Sequence, residues 1–229
     1  MNLREEMESL NQLVLKMSDA VVTNITEEIN YYLEKCDHVE INDDLIDQYE
    51  RLVEEMCVNI LLKERPFAKD LKEVTGVLKL VSDLERIGDH AEDIYDFATK
   101  LIGYKEKEEK NTEIENLSVF VMQMINRAIK AYIEKDYNLA KEVIADDDYV
   151  DEKYLEIIGN LRNKENIDKD YLSFAIYTTL VVKYLERIAD HSVNIAEWVV
   201  YISSGYYKDK IAAALPRAVF GDAAPEDRE

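Results

Sequence analysis

Four pairs of carboxylates stand out by their spacing: Asp43 and Asp47, Glu85 and Asp89, Asp147 and Asp151, Glu186 and Asp190. Residues four apart on a helix lie one turn above each other on the same face. On a helical wheel with Leu84 at zero, Glu85, Asp89, Glu92 and Asp96 fall between ~80° and ~140°. They form a stripe beside the core face of Ile87, Gly88, Ala91, Ile94 and Tyr95. Glu186, Asp190 and Glu197 repeat the stripe, and Asn194 stands where the first copy has Asp93. In an antiparallel hairpin the first pair can face the second, and the third the fourth. Four facing carboxylates repel unless cations or shared protons neutralise them. Oxygen-only donors suit hard ions such as Mg²⁺, Mn²⁺, Ca²⁺ or ferric iron. The alternative is a solvated acidic face on an acidic protein.

Other chemistry finds less support. A di-iron carboxylate enzyme of the helix-bundle class needs Glu-x-x-His, so that both side chains reach one metal, and the chain contains no such motif. His90 and His191 fall near ~240° on the same wheel, away from the carboxylates. They read as interhelical or surface hydrogen-bonders. Ser192 adjoins a histidine in sequence, which is adjacency rather than a nucleophile–base geometry. No catalytic residue is assigned, and the chain is not expected to be an enzyme. Cys36 and Cys57 are the only cysteines, without a CxxC, so neither a disulfide framework nor a thiolate zinc site follows.

The elements that must position these residues are helices. Leu10, Val14, Met17, Val21, Ile25, Ile29 and Tyr32 step by three and four. A first helix is predicted over residues 3–36. A second starts near Asn42–Asp43, a favourable N-cap region, and runs to 63. Pro66 ends it or opens the third, which carries Leu71 to Ala98 and reaches 103. After the charge run GYKEKEEKN the pattern restarts, with helices predicted over 113–135, 138–162 and 168–204. Trp198 and the tyrosines sit at helical spacing and read as packing residues.

The restart is an internal repeat. SDLERIGDHAEDIYDF answers KYLERIADHSVNIAEW at an offset of 101, and DDLID answers DDYVD at 104. The predicted fold is all-α: two tandem three-helix bundles related by pseudo-twofold symmetry. The predicted units are 1–103 and 113–206, joined by a linker at 104–112 and followed by a flexible tail at 207–229.

Composition agrees. Six glycines and three prolines in 229 residues fall far below the roughly 12% of average usage. The net charge of −21 repels phosphate backbones and anionic headgroups, so nucleic acid is excluded as a partner. Cations and basic protein faces suit it better. The N-terminal MNLREEMESL does not read as a signal peptide, and no apolar run is long enough for a transmembrane segment. The expected location is cytoplasmic.

DLERIGDHAEDI and YLERIADHSVNIAE resemble the doubled signature of the PhoU family, the phosphate-uptake regulators. Arg65-Pro66, followed by Asp70-Leu71-Lys72, is similar to the family's Arg-x-Pro…Asp-Leu-Arg segment, with the arginine directly before the proline and Lys72 in place of the second arginine. The likeness covers residues 3–206 in order. It implies a regulator of phosphate transport and phosphate-starvation signalling. Its implied partners are the ATPase of a phosphate ABC transporter and a sensor histidine kinase, reached at the membrane through those proteins. A homodimer is one expected form of assembly. It also implies metal bound through Asp43, Asp47, Glu85, Asp89 and Asp93, and through Asp147, Asp151, Glu186, Asp190 and Asn194. A transporter-accessory helical scaffold without a signalling role is the alternative within the same fold.

Overall fold

In the computed structural model, which describes residues 2–40, 42–104, 112–164 and 167–204, the first helix opens on a reciprocal cap. The Asn2 side chain accepts from the Glu5 amide, and the Glu5 carboxylate accepts from the Asn2 amide. This helix, α1, spans Leu3–Tyr32 and ends before the predicted residue 36. Glu34 takes a left-handed φ of 57°, and the Lys35 amide bonds back to the Asn30 carbonyl at 2.8 Å. That is a Schellman stop made without glycine. The fourth helix ends the same way, with Lys135 at φ 52° and the Asp136 amide on the Ala131 carbonyl.

Helix α2 covers Asp43–Lys63 and α3 covers Lys69–Leu101. Asn42 precedes α2 but its side chain makes no capping bond; Asp43 and Asp44 supply the negative charge that the helix start favours. Pro66 lies in the connection between α2 and α3, flanked by Arg65 and Ala68 at positive φ.

The second unit contains α4 (Thr112–Glu134), α5 (Tyr137–Ala145), α6 (Asp147–Arg162) and α7 (Lys169–Ser204). The single helix predicted over 138–162 is therefore two. Asp136 caps α5 by accepting from the Asn138 and Leu139 amides. Asp146 ends α5, starts α6, and is held by the Arg127 guanidinium of α4. The remainder of the predicted linker, 105–111, and the predicted tail lie outside the described residues.

Among the described residues the structure is all helix, and each unit packs three long helices. The repeat reaches the buried positions. Val14, Met17, Ser18, Val21, Ile25 and Tyr32 of α1 correspond, at an offset of 100, to Ile114, Leu117, Ser118, Val121, Ile125 and Tyr132 of α4, all buried. Ile46 and Val53 of α2 correspond to Val150 and Ile157 of α6 at 104. The two units share one continuous apolar core.

The most extensive helix contact joins the units: α3 against α7, antiparallel. A Cβ on Gly76 would lie 2.5 Å from Ile202 Cγ1, so any larger residue there would force the Ile202 side chain to move. His90 and His191 meet at the centre, ring centroids 5.4 Å apart. Asp83 of α3 receives three donors from α7: His191 Nδ1 at 2.8 Å, Asn194 Nδ2 at 3.0 Å and Trp198 Nε1 at 3.1 Å. Tyr184 stands at the repeat position of Asp83; it packs on His90 and Phe97 and bonds to Asp93. The interface is thus a pseudo-dyad in which one copy uses a carboxylate and the other a phenol. Both histidines are interhelical; His191 is the expected hydrogen-bonder, whereas His90 packs on Tyr184 and His191 and neither of its ring nitrogens has a hydrogen-bond partner among the described residues.

Candidate metal centre: two acidic clusters

The stripe of α3 lies between its core face and its α7-facing side, and α2 packs against α3 along it. Gly88 lets Ile46 of α2 pack close to α3: a Cβ there would lie 3.1 Å from Ile46 Cδ1, and 3.8 Å, an ordinary contact, from Asp43 Oδ1 beside it. The carboxylates feel one another directly. Burial raises the Asp43 carboxyl first, and the charges of Asp47 and Asp89 add to it. Glu85 is pushed up to about 7 by burial, then by Asp89, with Glu50 and Asp47 adding and Arg86 opposing. Arg86 Nη1 lies 2.9 Å from Asp89, and Arg51 lies 3.4 Å from Asp47. The structure thus places Asp43, Asp47, Glu85 and Asp89 in one neighbourhood.

Three further carboxylates complete this first cluster. Glu92 is raised by burial and then by Asp43. Glu50 is raised by burial, opposed by a hydrogen bond with Ser82. Glu28 comes from α1, is 1% exposed, and its Oε2 has no hydrogen-bond partner. Burial lifts its carboxyl to about 8, with Glu92 and Asp43 contributing. Glu28 and Glu50 were not among the sequence candidates. The signal for Glu28 was a charge three residues past Ile25, inside the apolar row of α1.

In the second unit Asp190 is pushed up to about 6 by burial, then by Glu186 and Asp147, with Asp151 adding and Lys183 opposing. Asp147, Asp151, Glu186 and Asp190 therefore form the matching quartet. Lys183 Nζ sits 2.5 Å from Glu186.

Asp93 and Asn194 are placed differently. Asp93 lies toward α7, bonded with Tyr184 and 3.6 Å from His90 Nδ1. Asn194 donates to Asp83 across the unit interface. Among the described residues, no three carboxylate, imidazole or thiolate groups converge on one metal-sized point. The donor set still suits a hard cation: all oxygen, partly desolvated, and carrying a buried oxygen without a partner.

A doubled three-helix bundle with a carboxylate quartet in each copy defines a class of helical proteins built by repetition. The PhoU domain model matches both copies, over residues 7–98 and 114–199, and the chain belongs to that family. The phosphate-specific transport system accessory protein PhoU homolog of Aquifex aeolicus is 35% identical over 209 residues, covering 90% of this chain and 94% of that protein. The homolog of the same name from Pseudomonas aeruginosa is 31% identical over 204 residues, covering 87% and 84%. The crystal structure of PhoU from Pseudomonas aeruginosa superposes with a TM-score of 0.79 at 29% identity, covering 90% of this chain and 100% of that one.

Proposed function

We propose that this chain is a cytosolic accessory protein that regulates phosphate transport and restrains phosphate-starvation signalling, acting by contact rather than turnover. The observation that carries the reading is the family match through both units, with relatives named as accessory proteins of phosphate-specific transport. The side chains support it. Ser192, the serine beside a histidine, is buried and donates to the Ile188 carbonyl of its own helix. Cys57 is buried and its thiol is pushed up to about 12, so it is a poor nucleophile. Among the described residues no helix is long and apolar enough to cross a membrane. Contact with a membrane transporter or kinase then runs through those proteins.

The partners in this reading are the ATPase of a phosphate ABC transporter and the cytosolic part of a sensor histidine kinase, each meeting the chain with a basic face. The net charge of −21 makes such contact salt-sensitive. The two acidic clusters hold hard divalent or ferric cations. Asp43, Asp47, Glu85 and Asp89 would supply the first set, and Asp147, Asp151, Glu186 and Asp190 the second. A bound cation relieves the mutual repulsion of the carboxylates and makes the local surface less negative. Cation loading then alters the face a partner meets.

The test is direct binding. The purified chain, loaded with Mn²⁺ or stripped by chelator, is titrated with the ATPase subunit and with the kinase's cytosolic region at low and high salt. Saturable binding to at least one of them, weakening as salt rises, is expected. Binding to neither overturns the adaptor reading.

A further inference from the structure

The repeat lets the two clusters be compared position by position, and they differ where it matters for a cation. Each has the quartet. Around it, the first cluster has Glu28, Glu50 and Glu92. The repeat offsets put Ala128, Tyr154 and Val193 at those places in the second. The α1–α4 register is secure, since the buried positions coincide along both helices. The reverse exchange occurs at Ser82, whose counterpart is Lys183. Ser82 bonds with Glu50, whereas the Lys183 ammonium lies on Glu186 and 5.3 Å from the Tyr154 ring centre. Both quartets carry basic side chains: Arg86 on Asp89 and Arg51 on Asp47 in the first, both mostly exposed, and the less exposed Lys183 on Glu186 in the second. The first adds three carboxylates that the second lacks, so it stays the more negative of the two.

Glu28 gives this contrast its direction. A glutamate 1% exposed with one oxygen unpartnered is costly to bury unless something positive reaches it. Its charged neighbours are Glu92 of α3, Asp43 of α2 and Glu27 of its own helix, all acidic. Hard-ion affinity rises with the number of charged oxygen ligands and with the rigidity of their mounting. A buried side chain on a long helix is a rigid mount.

We infer that the two clusters are unequal cation sites: Glu28 is the buried floor of the first, which binds a divalent cation more tightly and fills before the second, whereas Lys183 weakens the second. This rests on the cation-binding reading above and goes beyond it in assigning order and cause.

Mn²⁺ is the probe, titrated into the chelator-stripped full chain, with free Mn²⁺ read by its electron paramagnetic resonance signal. Two binding classes are expected. Asp89→Asn should remove the tighter class and Asp190→Asn the weaker. Glu28→Gln, close in shape and uncharged, should weaken the tighter class by about tenfold or more and leave the weaker unchanged. Lys183→Ser should strengthen the weaker class and leave the tighter unchanged. Circular dichroism checks that each variant stays helical, and Glu28→Ala, which copies Ala128, serves if the glutamine variant does not fold. If the unaltered chain binds no Mn²⁺, the cation reading falls and this inference with it. If it binds Mn²⁺ but Glu28 variants leave the tighter class unchanged, or Asp190→Asn removes the tighter class, only this inference is overturned.

Discussion

Glu28, Glu85 and Asp190 are held up to about 8, 7 and 6, each by burial first and by neighbouring carboxylates next. Their unfolded values lie near 4. The folded chain therefore keeps protons that the unfolded chain releases, and this contribution to stability is full below the unfolded value. It is lost as pH rises through 6, 7 and 8. Chelator-stripped protein should melt at falling temperature from pH 5 to pH 8 in scanning fluorimetry. Glu28→Gln, which cannot ionise, should flatten that slope. A melting temperature that holds steady or climbs over this range in the unaltered chain would contradict the assignment. The quartets were legible because the helical period fixes which residues share a face and the repeat checks the pattern twice. Glu28 was not, because one glutamate in an apolar row looks like a boundary of the core until a third helix brings it to the cluster. Asp93 and Asn194 share the motif's spacing, but their side chains turn toward the partner unit, and period alone cannot describe that packing.

Among the elements, α3 and α7 carry both the clusters and the joint between units. Asp83 serves three α7 donors while only partly exposed. Asp83→Ala leaves those donors without an acceptor and should cost about 2–3 kcal/mol. Asp83→Asn keeps one acceptor oxygen and should cost less. Trp198 is the single tryptophan, so its emission reports on this joint, and a red shift with lowered melting temperature is expected for the alanine variant. An unchanged melting temperature would show that the network adds nothing to the packing. Helix number and order could be read from apolar spacing; two stops could not. α1 and α4 end on glutamate and lysine in left-handed conformation, where glycine is the usual signal. The break at Asp146 carries neither glycine nor proline; the Asp146 carboxylate there is held by Arg127, 19 positions away in sequence.

For the whole molecule, the doubled architecture places two related clusters on two antiparallel helices that share one continuous apolar core. In the proposed account, cations set the local charge of a strongly negative body, and that body is read by partner proteins in phosphate uptake. The second cluster, weaker through Lys183, would be the one that responds as cation levels change. The most direct test of the central claim is a phosphate-regulated reporter measured in phosphate-rich medium, in a strain that lacks this gene and any other copy of the family. The account predicts that the reporter is switched on despite ample phosphate, and that the intact chain restores its silence. A reporter that remains silent without the gene would contradict the regulatory role and leave a transport accessory without a signalling function.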